Sequence, residues 1–507
     1  MKMPAYDAGD EVQCRAITRE DTMNCSGVSL FRIVCCVFCI VAVSAVRAGD
    51  VFVDVQDPGC VSGSGQPDPY AVIYCAVEDA VADAQSGDVI HINPGLYAPV
   101  GPVIFDKTLT ILGPQANVDP RPSFGSTRTP GSPAEAVISG QGTIDDLLVI
   151  QADSVEINGL EVTNATDDMI YQAGAYIYTA IRYCILHQTG DEAVQLLSCD
   201  DCMVEYNNIF NTGVIGEMNG DGVCYATNAT NSTLQFNEIH DINSEHGCFY
   251  AYNTFYINVL DNLMYNNVWG GGIRWGRNSS SSNVGGLIQG NVIHSVGEGG
   301  IDVEAYPAAG TETLEIVGNE IYGITNPAWG AIHIKELSAY IAVEENDLHG
   351  NTVAIWIDDE SGAPASTTIT VIHNNIDTNV QGILNEGTGI LTAEDNWWGD
   401  AGGPEDLIGS VEVPPCGSDP LVEINSDGIG DPAGEFIDYC PWLTSPFSPA
   451  TPTPSPSPTF TATITPTATP TGPTPTPPPI PATNPAGSGL ILAAIGVIMI
   501  FSGLRKR

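Results

Sequence analysis

Lysine and arginine are scarce in this chain, 15 against 61 aspartates and glutamates, and two of them fall where a repeated phrase sets carboxylates beside them. The phrase is a small residue followed by alternating apolar positions, as in Gly272-Ile-Arg-Trp275, Gly300-Ile-Asp-Val303, Ala331-Ile-His-Ile334 and Ala354-Ile-Trp-Ile357. Stacked copies lie about 4.8 Å apart, so equivalent positions form columns. One outward column then holds Gln195, Cys224, Phe249, Arg274, Asp302, His333, Trp356 and Leu384. The next holds Leu197, Ala226, Ala251, Gly276, Glu304, Lys335, Asp358 and Glu386. Arg274, Asp302, Glu304, His333, Lys335 and Asp358 make one patch across four coils, flanked by Phe249 and Trp356.

That set of side chains suits polysaccharide chemistry. Carboxylates such as Asp302, Glu304 and Asp358 can hold Ca²⁺ against a sugar carboxylate while Arg274 or Lys335 removes the adjacent proton. Paired carboxylates also serve glycoside hydrolysis, and Phe249 and Trp356 would stack on sugar rings. The competing reading is a salt-bridge ladder that keeps strands in register. A second cluster, Glu192, Asp221 and His246, falls at the corner before the same strand. Its Asp–His pair has the types needed for acid–base work; a corner histidine bonded to a carboxylate for structure is the alternative. A third column, Phe210, His240, Tyr265, His294, Tyr322 and His349, interleaves histidine with aromatics. It sets the histidines about 10 Å apart, too far to share an ion, and is expected to be a surface ladder.

What must position these columns is a solenoid. A second phrase, apolar-x-x-Asn-x-apolar, is anchored at Asn158, Tyr183, Asn207, Asn237, Asn262, Asn291, Asn319, Asn346, Asn374 and Asn396, spaced 22 to 30 residues apart. Such a period, with period-2 strands and no helical periodicity, predicts stacked coils that bury their apolar residues only against one another. The anchor asparagines are expected to bond from coil to coil and to tolerate left-handed backbone geometry.

Residues from about 50 to 445 resemble the right-handed parallel β-helix, or pectin-lyase-like, superfamily of exported proteins. The resemblance rests on Val53-Asp-Val-Gln-Asp-Pro58, the Ala76 to Gly87 helix, Asp88-Val-Ile-His-Ile-Asn-Pro-Gly-Leu-Tyr97 and Asn396-Trp-Trp-Gly-Asp-Ala-Gly-Gly-Pro404. It implies an all-β, single-stranded, right-handed parallel β-helix of roughly a dozen coils with an N-terminal capping helix. It says little about chemistry, because the superfamily includes lyases, hydrolases, epimerases and non-catalytic binding proteins. The polygalacturonase, alginate epimerase and pectate lyase signatures have no counterpart here, so no catalytic set transfers residue by residue.

The ends place the helix outside a cell. Residues 1–48 hold an apolar run, Leu30 to Ala45, and small residues near Ala48, as expected of a signal peptide. An entry segment and cap follow at 49–87, the β-helix at 88–400 and a closing segment at 401–447. The Pro/Thr-rich stretch 448–486 is expected to be an extended stalk. Residues 487–507 hold an uncharged 18-residue run, Gly487 to Leu504, and a basic stop, Arg505-Lys-Arg507, which suits a transmembrane anchor. Ile480-Pro-Ala-Thr-Asn484 resembles a sortase-type sorting signal, with Ile and Asn replacing its Leu and Gly.

Removing leader and tail leaves seven basic against 56 acidic groups, which excludes nucleic acid as a partner and repels anionic surfaces unless cations bridge them. Cys60 with Cys75 and Cys416 with Cys440 suit disulfides in an oxidising exterior. Cys199 and Cys202 suit a local disulfide, or pairing with Cys184 or Cys224. The expectation is a monomeric cell-surface β-helix that recognises polysaccharide or a surface glycan. As an enzyme it would be first a Ca²⁺-assisted lyase and second a hydrolase; the rival class is a non-catalytic adhesin or structural surface protein.

Overall fold

The computed structural model describes residues 49–213, 219–276, 283–304, 313–335, 340–358, 368–387, 389–406, 411–412 and 423–448. The expected signal peptide, stalk and anchor lie outside them. Among the described residues no helix is long and apolar enough to cross a membrane.

Three parallel sheets run the length of the coil, one of 15 strands and two of 11. Each turn contributes a strand to the first sheet, turns a corner to the second, and turns again to the third. This is the right-handed parallel β-helix. Its core is a set of apolar columns. In the first sheet Val204, Leu234, Val259, Ile288, Ile316, Val343 and Val371 stand in register, each fully buried. In the second, Leu186, Ile209, Ile239, Met264, Ile293, Ile321, Leu348 and Ile376 do the same. A single coil has no second layer to cover these side chains, so stacking is what removes them from water, at about 1.5–3 kcal/mol for each large one.

The corner between the first and second sheets is an asparagine ladder. Asn207, Asn237, Asn262, Asn291, Asn319, Asn346 and Asn374 each pass an Nδ2–H to the next Oδ1 at 2.9–3.0 Å, the last to Asn396. Two expected anchors differ. Cys184, not Tyr183, occupies the ladder position, since its N–H donates to Asn207 Oδ1 at 2.8 Å; Asn158 instead accepts from Asn117 N–H. The left-handed residue is also not the asparagine but the one before it: Tyr206, Phe236, Asp261 and Gly290 all have φ between 52° and 67°. Turning the chain one residue early leaves the asparagine free to face inward and bond.

The third-sheet strands open on small residues because their corners crowd. A Cβ on Gly272 would lie 2.5 Å from Ile293 Cγ2 and 2.7 Å from Gly300 O. The expected helix is shorter than its pattern, Val77–Asp83, with Val77, Ala80 and Val81 buried in the core. Cys60 and Cys75 are bonded. Cys440 is also disulfide-bonded, and Cys416 lies outside the described residues. Cys184, Cys199, Cys202 and Cys224 are buried free thiols, which overturns the disulfides expected among them.

Candidate functional site

The third sheet carries the charged patch, and its register corrects one column. Cys224 pairs with Tyr250, and Tyr250 with Arg274. Phe249 falls one residue short, between Val223 and Ile273, and is fully buried in the core. It therefore offers no surface to a sugar; Tyr250 is the ring above Arg274. The shift arises because the small residue Gly247 pairs with Gly271 and not with the head residue Gly272, one position earlier in register. From Arg274 the column is as expected: Asp302, His333, Trp356, Leu384.

The six predicted residues form one connected cluster. Arg274 Nη2 donates to both carboxylate oxygens of Glu304 at 3.1 Å, and its Nε lies 3.8 Å from Asp302 Oδ2. Lys335 Nζ closes on Glu304 Oε1 from the other side. His333 bridges two carboxylates, Nδ1 at 3.1 Å from Asp302 Oδ1 and Nε2 at 3.1 Å from Asp358 Oδ2. Trp329 lies beneath Lys335, 4.6 Å from Nζ to the ring centroid, and edge-on to His333. Trp356 packs against His333 with ring centroids 5.0 Å apart and planes tilted by 36°, and donates its indole N–H to Glu386 Oε2 at 3.0 Å. Both tryptophans are half-buried.

Electrostatics differentiates these groups. Burial raises Asp302, but the hydrogen bond from His333 and the charges of Lys335, His333 and Arg274 outweigh it and hold the carboxyl below its usual range. Burial and the neighbouring Asp302 raise Glu304 despite Arg274 and Lys335. Burial would lower Arg274 and Lys335, yet the carboxylates overcome it and raise both. Neither is thereby suited to act as a base. The carboxylates expected to hold Ca²⁺ at Asp302 and Glu304 already face Arg274 and Lys335, whose charge opposes a further cation, so the set does not fit that ion as it stands.

One group was not singled out in the sequence. Glu298, on the corner before Asp302, has its carboxyl pushed up to about 7 by burial, with Arg274 opposing. A carboxyl poised near neutrality beside one held ionised is the pattern that separates acid from base. Glu298 precedes the strand Ile301–Val303 and sits outside the columns that the repeat defines.

The corner cluster is also assembled. His246 Nδ1 lies 3.4 Å from Asp221 Oδ2, and Glu192 is on the neighbouring coil, its following strand paired to that of Asp221. His246 stacks on Tyr250 at 4.5 Å. Burial, and then the charges of Asp168, Asp221 and Asp191, raise the Glu192 carboxyl far above its usual range.

A separate groove of about 530 Å³, lined by Arg121, Ser123, Phe124, Phe236 and Asp261, lies where the excursion 115–135 crosses the coils. Arg121 is held there by Asp119 at 2.7 Å and Ser123 by Glu238. No periodic signal marks Arg121, Ser123 or Phe124, whereas Phe236 and Asp261 directly precede ladder asparagines.

Residues 258–403 match the family model of a right handed beta helix region. No curated protein matches the sequence. Among solved structures, the chain is similar to a mannuronan C-5 epimerase A-module of Azotobacter vinelandii (15% identity over 69% of this chain and 92% of that one, TM-score 0.44). It is similar also to a surface adhesin of Streptococcus pneumoniae (14%, 68% and 87%, TM-score 0.43). A third is the catalytic unit of an alpha-1,3-glucanase from Streptomyces thermodiastaticus (16%, 69% and 69%, TM-score 0.42). At these distances neither substrate nor activity carries across. The chain is a right-handed parallel β-helix protein, its family-level match a right handed beta helix region over 258–403.

Proposed function

We propose that the chain binds polysaccharide across the third-sheet face, over the coils that carry Arg274, Asp302, His333 and Trp356. The observation that supports this most is the placing of Trp329 and Trp356, both half-buried, against a buried network of charge. Flat rings give sugars a stacking surface, and hydrogen-bonding groups fixed around them supply orientation.

The ligand is neutral rather than anionic on this reading. Outside the leader and tail there are seven basic residues, of which Arg277 lies outside the described ones. The other six, Lys107, Arg121, Arg128, Arg182, Arg274 and Lys335, all face carboxylates of this chain. A uronate would compete with those carboxylates and meet a strongly acidic body. Cleavage, where it occurs, is hydrolysis with Glu298 as the proton donor, in preference to elimination by Arg274 or Lys335. The second reading is a non-catalytic surface adhesin, which the ion pairs of Arg274 and Lys335 with carboxylates of the cluster itself favour.

Affinity electrophoresis of the full chain against neutral and acidic polysaccharides, with reducing-end release measured in parallel, tests this. Retardation by neutral glycans, lost in Trp356→Ala, supports binding. Reducing ends lost in Glu298→Gln support hydrolysis, and their absence beside retained binding supports the adhesin. No retardation by any glycan, from folded protein, would sink the proposal.

A further inference from the structure

At the corner before the third sheet, the coils upstream of the charged patch present buried carboxylates without a lysine or arginine counter-ion among the described residues. Asp168, Glu192 and Asp221 occupy one column, linked through the backbone bonds Met169 N–H to Glu192 O and Ala193 N–H to Asp221 O, and each is buried. Among the described residues no lysine or arginine pairs with them. This differs from Asp302 and Glu304, which have Arg274 and Lys335 within ion-pair distance.

A thiol joins these carboxylates, and an imidazole lies beside one of them. The ligand atoms of Glu192, Asp221 and Cys224 all lie within 4.8 Å of one another, and these residues are 7%, 0% and 4% exposed. His246 reaches in from the next coil, Nδ1 3.4 Å from Asp221 Oδ2. That contact lacks hydrogen-bond geometry. Asp221 Oδ2, His246 Nδ1 and Glu192 Oε2 are all buried without a hydrogen-bond partner, a costly arrangement when nothing compensates it.

We propose that Glu192, Asp221, Cys224 and His246 form a binding site for a zinc-type divalent transition metal that pins three successive coils. Two ligands each about 2.0–2.1 Å from a tetrahedral ion lie about 3.4 Å apart, which is the separation of the His246 and Asp221 atoms. Two oxygens, one imidazole nitrogen and one thiolate suit zinc and its neighbours. Calcium takes six to eight oxygens instead. Glu192 from one coil and Asp221 and Cys224 from the next are already gathered; His246, beside Asp221 on a third coil, turns in to complete the tetrahedral shell when the metal binds, so the site is structural. The Cys224 thiol proton leaves to solvent as the metal–sulfur bond forms. The nearby Asp167, Asp168 and Asp191, whose oxygens also lie within 4.8 Å of one another, offer only hard ligands, which gives the test a second arm.

The full chain, stripped with chelator, is titrated with Co²⁺ alone and followed by absorbance. One equivalent is expected to produce tetrahedral d–d bands with a thiolate charge-transfer band, both removed by Zn²⁺. Cys224→Ser is expected to abolish the charge-transfer band, and His246→Ala to weaken Co²⁺ binding by at least about tenfold, or 1.4 kcal/mol. Three results overturn the proposal: no bands from protein that circular dichroism shows to be folded; a charge-transfer band that persists in Cys224→Ser, which would assign it to Cys199 or Cys202; or displacement by Ca²⁺ as readily as by Zn²⁺. Should Cys224→Ser not fold, His246→Ala, whose side chain lies at the rim, decides alone, and unchanged affinity there refutes the site.

Discussion

Along the second sheet, His187, Phe210, His240, Tyr265, His294, Tyr322 and His349 stack ring on ring at 4.8–5.2 Å. Along the third sheet, over several of the same coils, Arg274, Asp302, His333 and Trp356 follow one another in the corresponding outward column. Both columns inherit one spacing from the backbone. For flat rings, that spacing is itself the interaction, and each member is satisfied by the next. For unlike charges it is not, and each member needs a second partner from the adjoining column: Glu304 for Arg274, Asp358 for His333. The ring ladder is thus additive and tolerant, whereas the charged column is a network whose members depend on one another. Ligand chemistry is expected where buried polar groups are held in that way, beside half-buried tryptophans.

The contrast can be broken most directly at Asp302. Asp302→Ala leaves Arg274 and His333 buried beside an empty position, and is expected to cost about 3–5 kcal/mol in denaturant unfolding. Removing one ring, in His294→Ala, is expected to cost only about 1 kcal/mol. Equal costs would remove the distinction between network and ladder. Next comes Asn319→Ala. It takes the side-chain acceptor from Asn291 N–H, one of three acceptors from Asn291 Nδ2 and the side-chain donor from Ile288 O, for an expected loss of about 3 kcal/mol that exceeds the loss at any single ring.

A smaller effect is expected with pH. Glu298 holds its proton up to about 7 when folded, against roughly 4.3 in the unfolded chain. The folded state therefore binds more protons between those values, so its contribution is full below the lower one and is lost as pH rises to the upper. The melting temperature should fall across that window, less steeply in Glu298→Gln. Asp302 has the opposite sign, since its folded carboxyl is held low; its contribution is present above the unfolded value and is lost as pH falls through the folded one. A Glu298→Gln variant with an unchanged slope would remove Glu298 as the titrating group. Smallest is Tyr265→Phe, which keeps the ring in its stack and loses only the hydroxyl bond to Glu238 Oε1 at 2.8 Å, for about 1 kcal/mol.

Much of this was legible because a solenoid writes its third dimension into its period. The columns of Arg274, Asp302 and His333 and of Glu304, Lys335 and Asp358 follow from repeat alignment alone, as does the His–aromatic ladder. Phe249 was misplaced because apolar alternation is ambiguous in Gly247–Tyr252, where both phases offer an aromatic residue. Tyr183 was misplaced because Cys184 carries no amide to mark the ladder position. Pairings within the cluster were not legible: the repeat shows that Glu304 is near Arg274 and Lys335, but not that both would bind it. Glu298, Arg121 and Ser123 lie in corners and excursions, where length varies and no period constrains them.

The central claim is that the third-sheet face, and not the ring ladder, meets the ligand. Affinity electrophoresis of Trp356→Ala and His294→Ala against the glycan that retards the full chain tests it most directly. The account predicts that Trp356→Ala loses retardation by about tenfold in affinity or more, while His294→Ala migrates as the unaltered chain does. Retardation that survives in Trp356→Ala and fails in His294→Ala would place the ligand on the second sheet and contradict the account.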